Sequence, residues 1–215
     1  NHASRLRYRT RGRLSCPLVV RAPYGAGIHA PEHHSESFES MLAHIPGLRV
    51  VIPSSPARAY GLLLAAIRDP DPVVFLEPAR VYRSLREEVI DDGAALALDR
   101  CEIRRPGTDL TIVAWGACMT EALAAADVLA SDGISAEVID VVMNKPLATE
   151  TIVQSVGRTG RCVIVHEATL TAGFGAEIAA VLADRAITSL LAPVVRVTGY
   201  DTVIPLSRLE RDFMP

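Results

Sequence analysis

The sequence predicts an α/β protein made of two parallel-sheet units in tandem, and three observations carry that reading. Short runs of Val, Leu and Ile alternate with longer stretches of helical periodicity. Aromatic residues make up only 5% of a chain that is 49% hydrophobic, the mix expected of helices laid on buried parallel strands. Between residues 78 and 105 the periodicity fades and charge rises, which places a first unit over residues 1–77, a linker over 78–105 and a second unit over 106–215.

The chain opens on Asn1 with Arg5, Arg7, Arg9, Arg11 and Arg13 at every second position and no acid. A transit peptide or a basic nucleic-acid arm has this composition. Strict alternation without an apolar helical face suits neither, and points instead to a chain that starts partway through a domain. Pro17-Leu-Val-Val-Arg21 reads as a strand, and a Gly/Pro-bearing loop follows. Ser35 or Ser37 then caps a short helix with Phe38, Leu42 and Ile45 on its inner face. Leu48–Ile52 is a strand, and Pro56 opens a helix that runs to about Arg68 with Tyr60, Leu63, Leu64 and Ile67 on one stripe. Asp69-Pro-Asp-Pro72 stops it, and Val73–Leu76 is the third strand. Three strands over two helices leave one face open for a further segment or a partner.

The second unit repeats the alternation. Asp109–Trp115 is a strand, Gly116 a turn, and Thr120 caps a helix whose Leu123, Ala126 and Leu129 face inward until Gly133. Residues 134–142 form a strand, 149–158 a helix, 161–165 a strand, 174–185 a helix and 193–197 the last strand. Four strands alternating with helices make a doubly wound domain.

Composition removes several classes of function. With 22 basic against 25 acidic residues and a net charge of −3, nothing marks a nucleic-acid surface, and no apolar run approaches the ~20 residues of a membrane span. Cys16, Cys101, Cys118 and Cys162 are scattered without a C-x-x-C pair and read as reduced core residues. Neither Gly25-Ala-Gly27 nor Gly173-Phe-Gly175 completes a phosphate-binding glycine motif, and no Gly-x-Ser-x-Gly elbow occurs.

Chemistry concentrates in Ala30–His44, which holds three of the six histidines. His29 and His33 have i, i+4 spacing, but Pro31 between them argues against a tight metal site. The adjacent pair His33 and His34, flanked by Glu32 and Glu36 at a strand-to-helix crossing, points to an imidazole that gives and takes protons near neutral pH. The plain alternative is that one of the pair satisfies a buried carbonyl. His166-Glu167 ends a strand where α/β folds bind ligands, but is read as a loop that turns the chain. Trp115 and His44 are read as packing residues.

The order of these residues is similar to a known family. Pro17-Leu-Val-Val-Arg-Ala-Pro-Tyr-Gly25, Glu32-His-His-Ser35, Ala43-His-Ile-Pro-Gly-Leu-Arg-Val-Val-Ile-Pro53 and Ala65-Ala-Ile-Arg-Asp-Pro-Asp-Pro72 resemble the β subunit of the thiamine-diphosphate-dependent decarboxylating component of 2-oxo acid dehydrogenase complexes. Pro106–Gly116, Thr159-Gly-Arg161, His166-Glu-Ala168, Gly173–Ile178 and Arg196–Thr202 look like its transketolase C-terminal-type domain. The resemblance implies a partial pyrimidine-binding-type sheet domain followed by a transketolase C-terminal-type doubly wound domain. It implies oxidative decarboxylation of pyruvate or a branched-chain 2-oxo acid, with acyl transfer to the lipoyl group of the acyltransferase.

It further implies that thiamine diphosphate and magnesium are held mainly by an α subunit in an α2β2 heterotetramer, with a dihydrolipoyl acyltransferase core and a second β subunit as further partners. His34 would be catalytic, with His33, Ser35 and Glu36 around the same pocket. Leu18, Ala66, Ile67, Asp69 and Asp71 match positions that bind a structural potassium ion. Location would be the bacterial cytoplasm or the mitochondrial matrix. Glu36 stands where the family usually has Gln, and Val142 and Ala148 replace an Arg and an Asp. The family's β subunit carries roughly a hundred further residues before Asn1 and a final helix after Pro215, so turnover is not expected of this chain alone. A self-contained transketolase-type enzyme and a non-catalytic docking subunit for the acyltransferase are the rival readings.

Overall fold

The computed structural model describes residues 1–215. In chain order the elements are α1 (His2–Arg9), β1 (Val19–Tyr24), α2 (Glu39–Ala43), β2 (Arg49–Val51), α3 (Pro56–Arg68), β3 (Val73–Pro78), α4 (Val81–Ser84), β4 (Glu102–Arg105), β5 (Leu110–Ala114), α5 (Cys118–Ser131), β6 (Ala136–Asp140), β7 (Met143–Lys145), α6 (Thr149–Thr159), β8 (Cys162–Thr169), α7 (Gly175–Arg185), β9 (Val195–Gly199) and α8 (Glu210–Phe213). They form a four-stranded sheet in the order β1-β3-β2-β7 and a five-stranded sheet in the order β4-β6-β5-β8-β9.

β1, β2 and β3 run parallel, as the alternation predicts, but the sheet is closed by β7, a strand of the second unit that pairs antiparallel with β2. The predicted strand over 134–142 is β6, which stays in its own sheet; β7 follows directly after it, lies outside the predicted strand, and crosses to the other sheet. The predicted linker also contains β4, which pairs antiparallel with β6 at the edge of the second sheet. Charged residues at Arg104 and Arg105 conceal a strand that is an edge and so keeps one side in water. The Arg-rich opening folds as α1, whose arginines lie on an exposed helix, with Arg7 reaching Asp71 at 2.6 Å. β1 remains an edge, with Leu18 and Val20 exposed.

One core runs through both units. Val50, Ile52, Val74 and Leu76 of the first sheet pack with Trp115, Ile139, Ile164, Phe174 and Ile178 of the second. On the far side of the second sheet, α5 buries Cys118, Met119, Ala122 and Ala126, so its inward face begins two residues before the predicted Thr120 cap. In α3 the buried residues are Gly61, Leu62 and Ala66, while Ile67 is exposed. The stripe is turned because consecutive leucines at 62–64 give periodicity no contrast, and because Gly61 lets Leu96 of the linker approach closely. α6 ends on Gly160 at φ 68°, a left-handed residue whose N–H bonds the Val156 carbonyl at 2.8 Å.

In the second sheet, α5 follows β5 toward β6 and α6 then crosses back to β8, so the chain reverses direction between β5 and β8. At such a reversal an open α/β sheet has a crevice beyond its strand ends. Here Trp115 follows β5 and His166 and Glu167 belong to β8, and the first unit fills the crevice they form.

Candidate functional site

The loop between β1 and α2 enters that crevice. Gly25 adopts φ 83°, and a Cβ there would collide with the Glu167 carboxylate. Glu167 Oε2 instead accepts the Ala26 N–H at 3.1 Å, while its Oε1 meets Arg80 Nη2 at 3.0 Å. Arg80 also pairs with Glu121 on α5. Glu167 is 6% exposed, and burial shifts its carboxyl upward against the attraction of Arg80. From the other side Glu210, 1% exposed, accepts the Gly27 N–H at 2.6 Å and the His29 N–H at 2.9 Å, and its Oε2 lies 2.9 Å from His29 Nδ1. Two buried carboxylates from distant parts of the chain thus brace the stretch from Ala26 to His29.

Beyond the braces, Glu32–His34 make a single 3-10 turn, with His34 N–H bonding the Pro31 carbonyl at 2.9 Å. The rings of His33 and His34 lie 4.0 Å apart at a 43° tilt, and both residues are exposed. Glu32 Oε1 sits 3.8 Å from His33 Nδ1. Neither imidazole is the buried carbonyl partner that the plain alternative called for. Ser35 differs from expectation: it is fully buried, and its hydroxyl bonds the Ala30 carbonyl at 3.3 Å, so it holds the turn from beneath rather than lining a pocket. Glu36 is exposed, and its carbonyl closes the loop by accepting the Gly25 N–H at 3.3 Å. His29 is engaged by Glu210, which removes the His29–His33 metal pair. No three His, Cys, Asp or Glu side chains converge as a ligand set.

The residues matched to a potassium site gather at one end of the first sheet, where Val73 N–H bonds the Leu18 carbonyl at 2.9 Å and Asp69 N–H bonds the Ala66 carbonyl at 3.3 Å. Both carboxylates are occupied: Arg49 holds Asp69 at 3.1 Å and Arg7 holds Asp71. The Leu18 and Ala66 carbonyls and both carboxylates thus lie close together, each carboxylate already carrying an arginine partner.

Behind the loop lies a buried group that the sequence reading passed over. Glu39, the first residue of α2, is fully buried; Oε1 accepts Trp115 Nε1–H at 3.3 Å and Oε2 has no well-formed partner. Desolvation pushes its carboxyl up to about 7, against the stabilising contacts of Tyr24 and Trp115. The other face of Trp115 stacks on His166, centroids 5.1 Å apart and 13° from parallel. Burial, then the nearby Arg196, lower His166 to about 4, so it is a neutral ring at physiological pH. Gly173 and Gly175 pack against this ring, and a Cβ on Gly175 would sit 2.6 Å from Nε2. A glutamate at a helix start is normally a solvated capping residue, so nothing local marked Glu39. For Glu167, the signal available was its position at a strand end beside a reversal. Arg80 and Glu210 carried none.

The arrangement therefore presents an exposed imidazole pair on a short, internally bonded turn that follows a loop stretch braced by buried carboxylates. Such a pair can donate and accept protons for a substrate that approaches from outside this chain.

Comparison with known proteins follows the same division. Residues 1–84 match the pyrimidine binding domain of transketolase and residues 99–215 match the transketolase C-terminal domain. The chain is 49% identical over 212 residues to the pyruvate dehydrogenase E1 component subunit beta of Bacillus subtilis strain 168, covering 99% of this chain and 65% of that protein. It is 44% identical over the same span to the subunit of that name from Staphylococcus aureus strain N315, again over 65% of its length. Among solved structures, one described as a split gene transketolase, inactive beta4 tetramer, superposes with a TM-score of 0.74 at 26% identity, over 99% of this chain and 67% of that one. The chain thus spans just under two thirds of the curated relatives it matches.

Proposed function

The chain belongs to the transketolase family, and on that premise we propose that it serves as the β subunit of a thiamine-diphosphate-dependent 2-oxo acid dehydrogenase, working on pyruvate in contact with an α subunit. The observation that carries the reading is the exposed His33–His34 pair on its braced turn. Identity of 44–49% to pyruvate dehydrogenase β subunits supports pyruvate over a branched-chain 2-oxo acid.

When bound, thiamine diphosphate supplies the electron sink for decarboxylation. This chain supplies His34, which holds and returns a proton as the acyl group leaves for the lipoyl arm. His33 packs against its ring, Ser35 keeps the turn closed, and Glu36 is exposed two residues further on. Glu167 and Glu210 fix where the turn stands. Binding across a subunit boundary is supported by the exposure of both rings. The neighbour described as an inactive tetramer of β chains supports the need for a partner chain.

The test is reconstitution of the full-length subunit with its α partner and acyltransferase core, and parallel assay of pyruvate and 3-methyl-2-oxobutanoate. His34→Ala is expected to lower lipoyl acylation by about 10²- to 10⁴-fold with assembly intact. Unchanged turnover would make the chain a docking subunit instead.

A further inference from the structure

Ten buried side-chain nitrogen and oxygen atoms in the molecule lack a hydrogen-bond partner, and seven belong to Ser37, Glu39, Ser40, Asn144 and His166. Ser37, Glu39 and Ser40 belong to α2 and the residues just before it, Asn144 to β7 beside that helix, and His166 to β8 of the second sheet. Native proteins leave few such atoms unpaired, so this many in five residues need a cause. Asn144 is the extreme case. It is 0% exposed, and both its amide nitrogen and its amide oxygen are unbonded.

Asn144 and Ser40 line a cleft of about 410 Å³ between α2 and the amino end of α7, bordered also by His44, Lys145, Phe174 and Glu177. His33 and His34 do not reach it, so it is separate from the surface assigned above. Its lysine and glutamate balance in formal charge, and the amino end of an eleven-residue helix beside them is what favours a negative guest. Glu177, the only acid in the lining, works against a second negative charge.

We propose that this cleft binds a small monocarboxylate, its carboxyl group taken by the Asn144 amide and the Ser40 hydroxyl at the amino end of α7, with Lys145 as counter-charge. A carboxylate accepts from Asn144 Nδ2 and Ser40 Oγ together, which supplies the donors with the partners they lack. A hydroxyl on the adjacent carbon, as in a 2-hydroxy acid, donates to Asn144 Oδ1.

Isothermal titration calorimetry of the full chain with acetate, lactate and inorganic phosphate tests this. Saturable binding of acetate and lactate is expected, with lactate tighter and phosphate weaker. Asn144→Leu and Lys145→Ala should each weaken lactate about tenfold or more, the value of a lost charge-assisted hydrogen bond. Trp115, the only tryptophan, touches Phe174 edge-on at 5.9 Å, so its emission gives a second binding signal. If Asn144→Leu does not fold, Ser40→Ala and Lys145→Ala carry the comparison. Absence of saturable binding by either carboxylate, equal affinity in the variants, or phosphate binding as tightly as lactate would each overturn the proposal.

Discussion

Trp115 Nε1 donates to Glu39 Oε1 at 3.3 Å across the seam between the two units, tying the first residue after the histidine loop to the first residue after the central strand of the second sheet. The bond matters because Glu39 has no exposure and Trp115 only 2%. Moving either residue exposes the core that both units share.

Glu39 makes folding stability depend on pH in a definite direction. Its folded value, about 7, lies above the ordinary 4.5, so the native chain holds this proton more tightly than the unfolded chain does. The contribution is full below pH 4.5 and is lost as pH rises through 7, a slope worth up to about 3 kcal/mol. Glu39→Gln should remove that slope and be the more stable protein at pH 8. Denaturant unfolding at pH 5, 6.5 and 8 checks the difference between the two, and Trp115 emission should titrate near pH 7 in wild type and not in the variant.

Arg80 and Glu167 form the brace under Ala26. Arg80→Met leaves Glu167 buried without its cation and should cost about 3 kcal/mol. The double variant Arg80→Met with Glu167→Gln should recover much of that, because the carboxamide oxygen can still accept the Ala26 N–H while the uncompensated charge is gone. A double-mutant cycle in urea measures the coupling; additive losses would mean that the pair does not act as one unit.

Glu210 holds the loop from the carboxyl-terminal side. Glu210→Ala should expose the amides of Gly27 and His29 to exchange while amides of β8 stay protected, since two backbone donors lose their acceptor. Hydrogen exchange read by mass spectrometry distinguishes this from global unfolding, in which both regions lose protection together.

Gly175→Ala should be among the more damaging single-methyl additions in the chain. The new carbon would fall 2.6 Å from His166 Nε2 and 3.1 Å from Ile164 Cγ2, and a buried ring stacked on Trp115 has nowhere to retreat. A loss of about 1–3 kcal/mol is expected for overpacking of this kind, with near-ultraviolet circular dichroism of Trp115 altered.

The sequence alone determined the alternation of strands and helices, the position of the histidine turn and the family likeness, because periodicity, turn residues and short motifs are local properties. β1, α3, β3, α6 and α7 follow from them within a few residues. Tertiary structure decided what distance along the chain conceals. β7 leaves the sheet of the unit that precedes and follows it in sequence to pair with β2, Met143 lying against Val51 from 92 residues away. Glu167 and Glu210 meet the loop across 141 and 183 residues. Glu39 becomes a buried acid only because α2 docks over Trp115. A carboxylate's sequence neighbours cannot tell whether it will face water or be sealed against a ring from another unit. That depends on which surfaces close over it, and it is this enclosure, through desolvation, that moves its proton affinity.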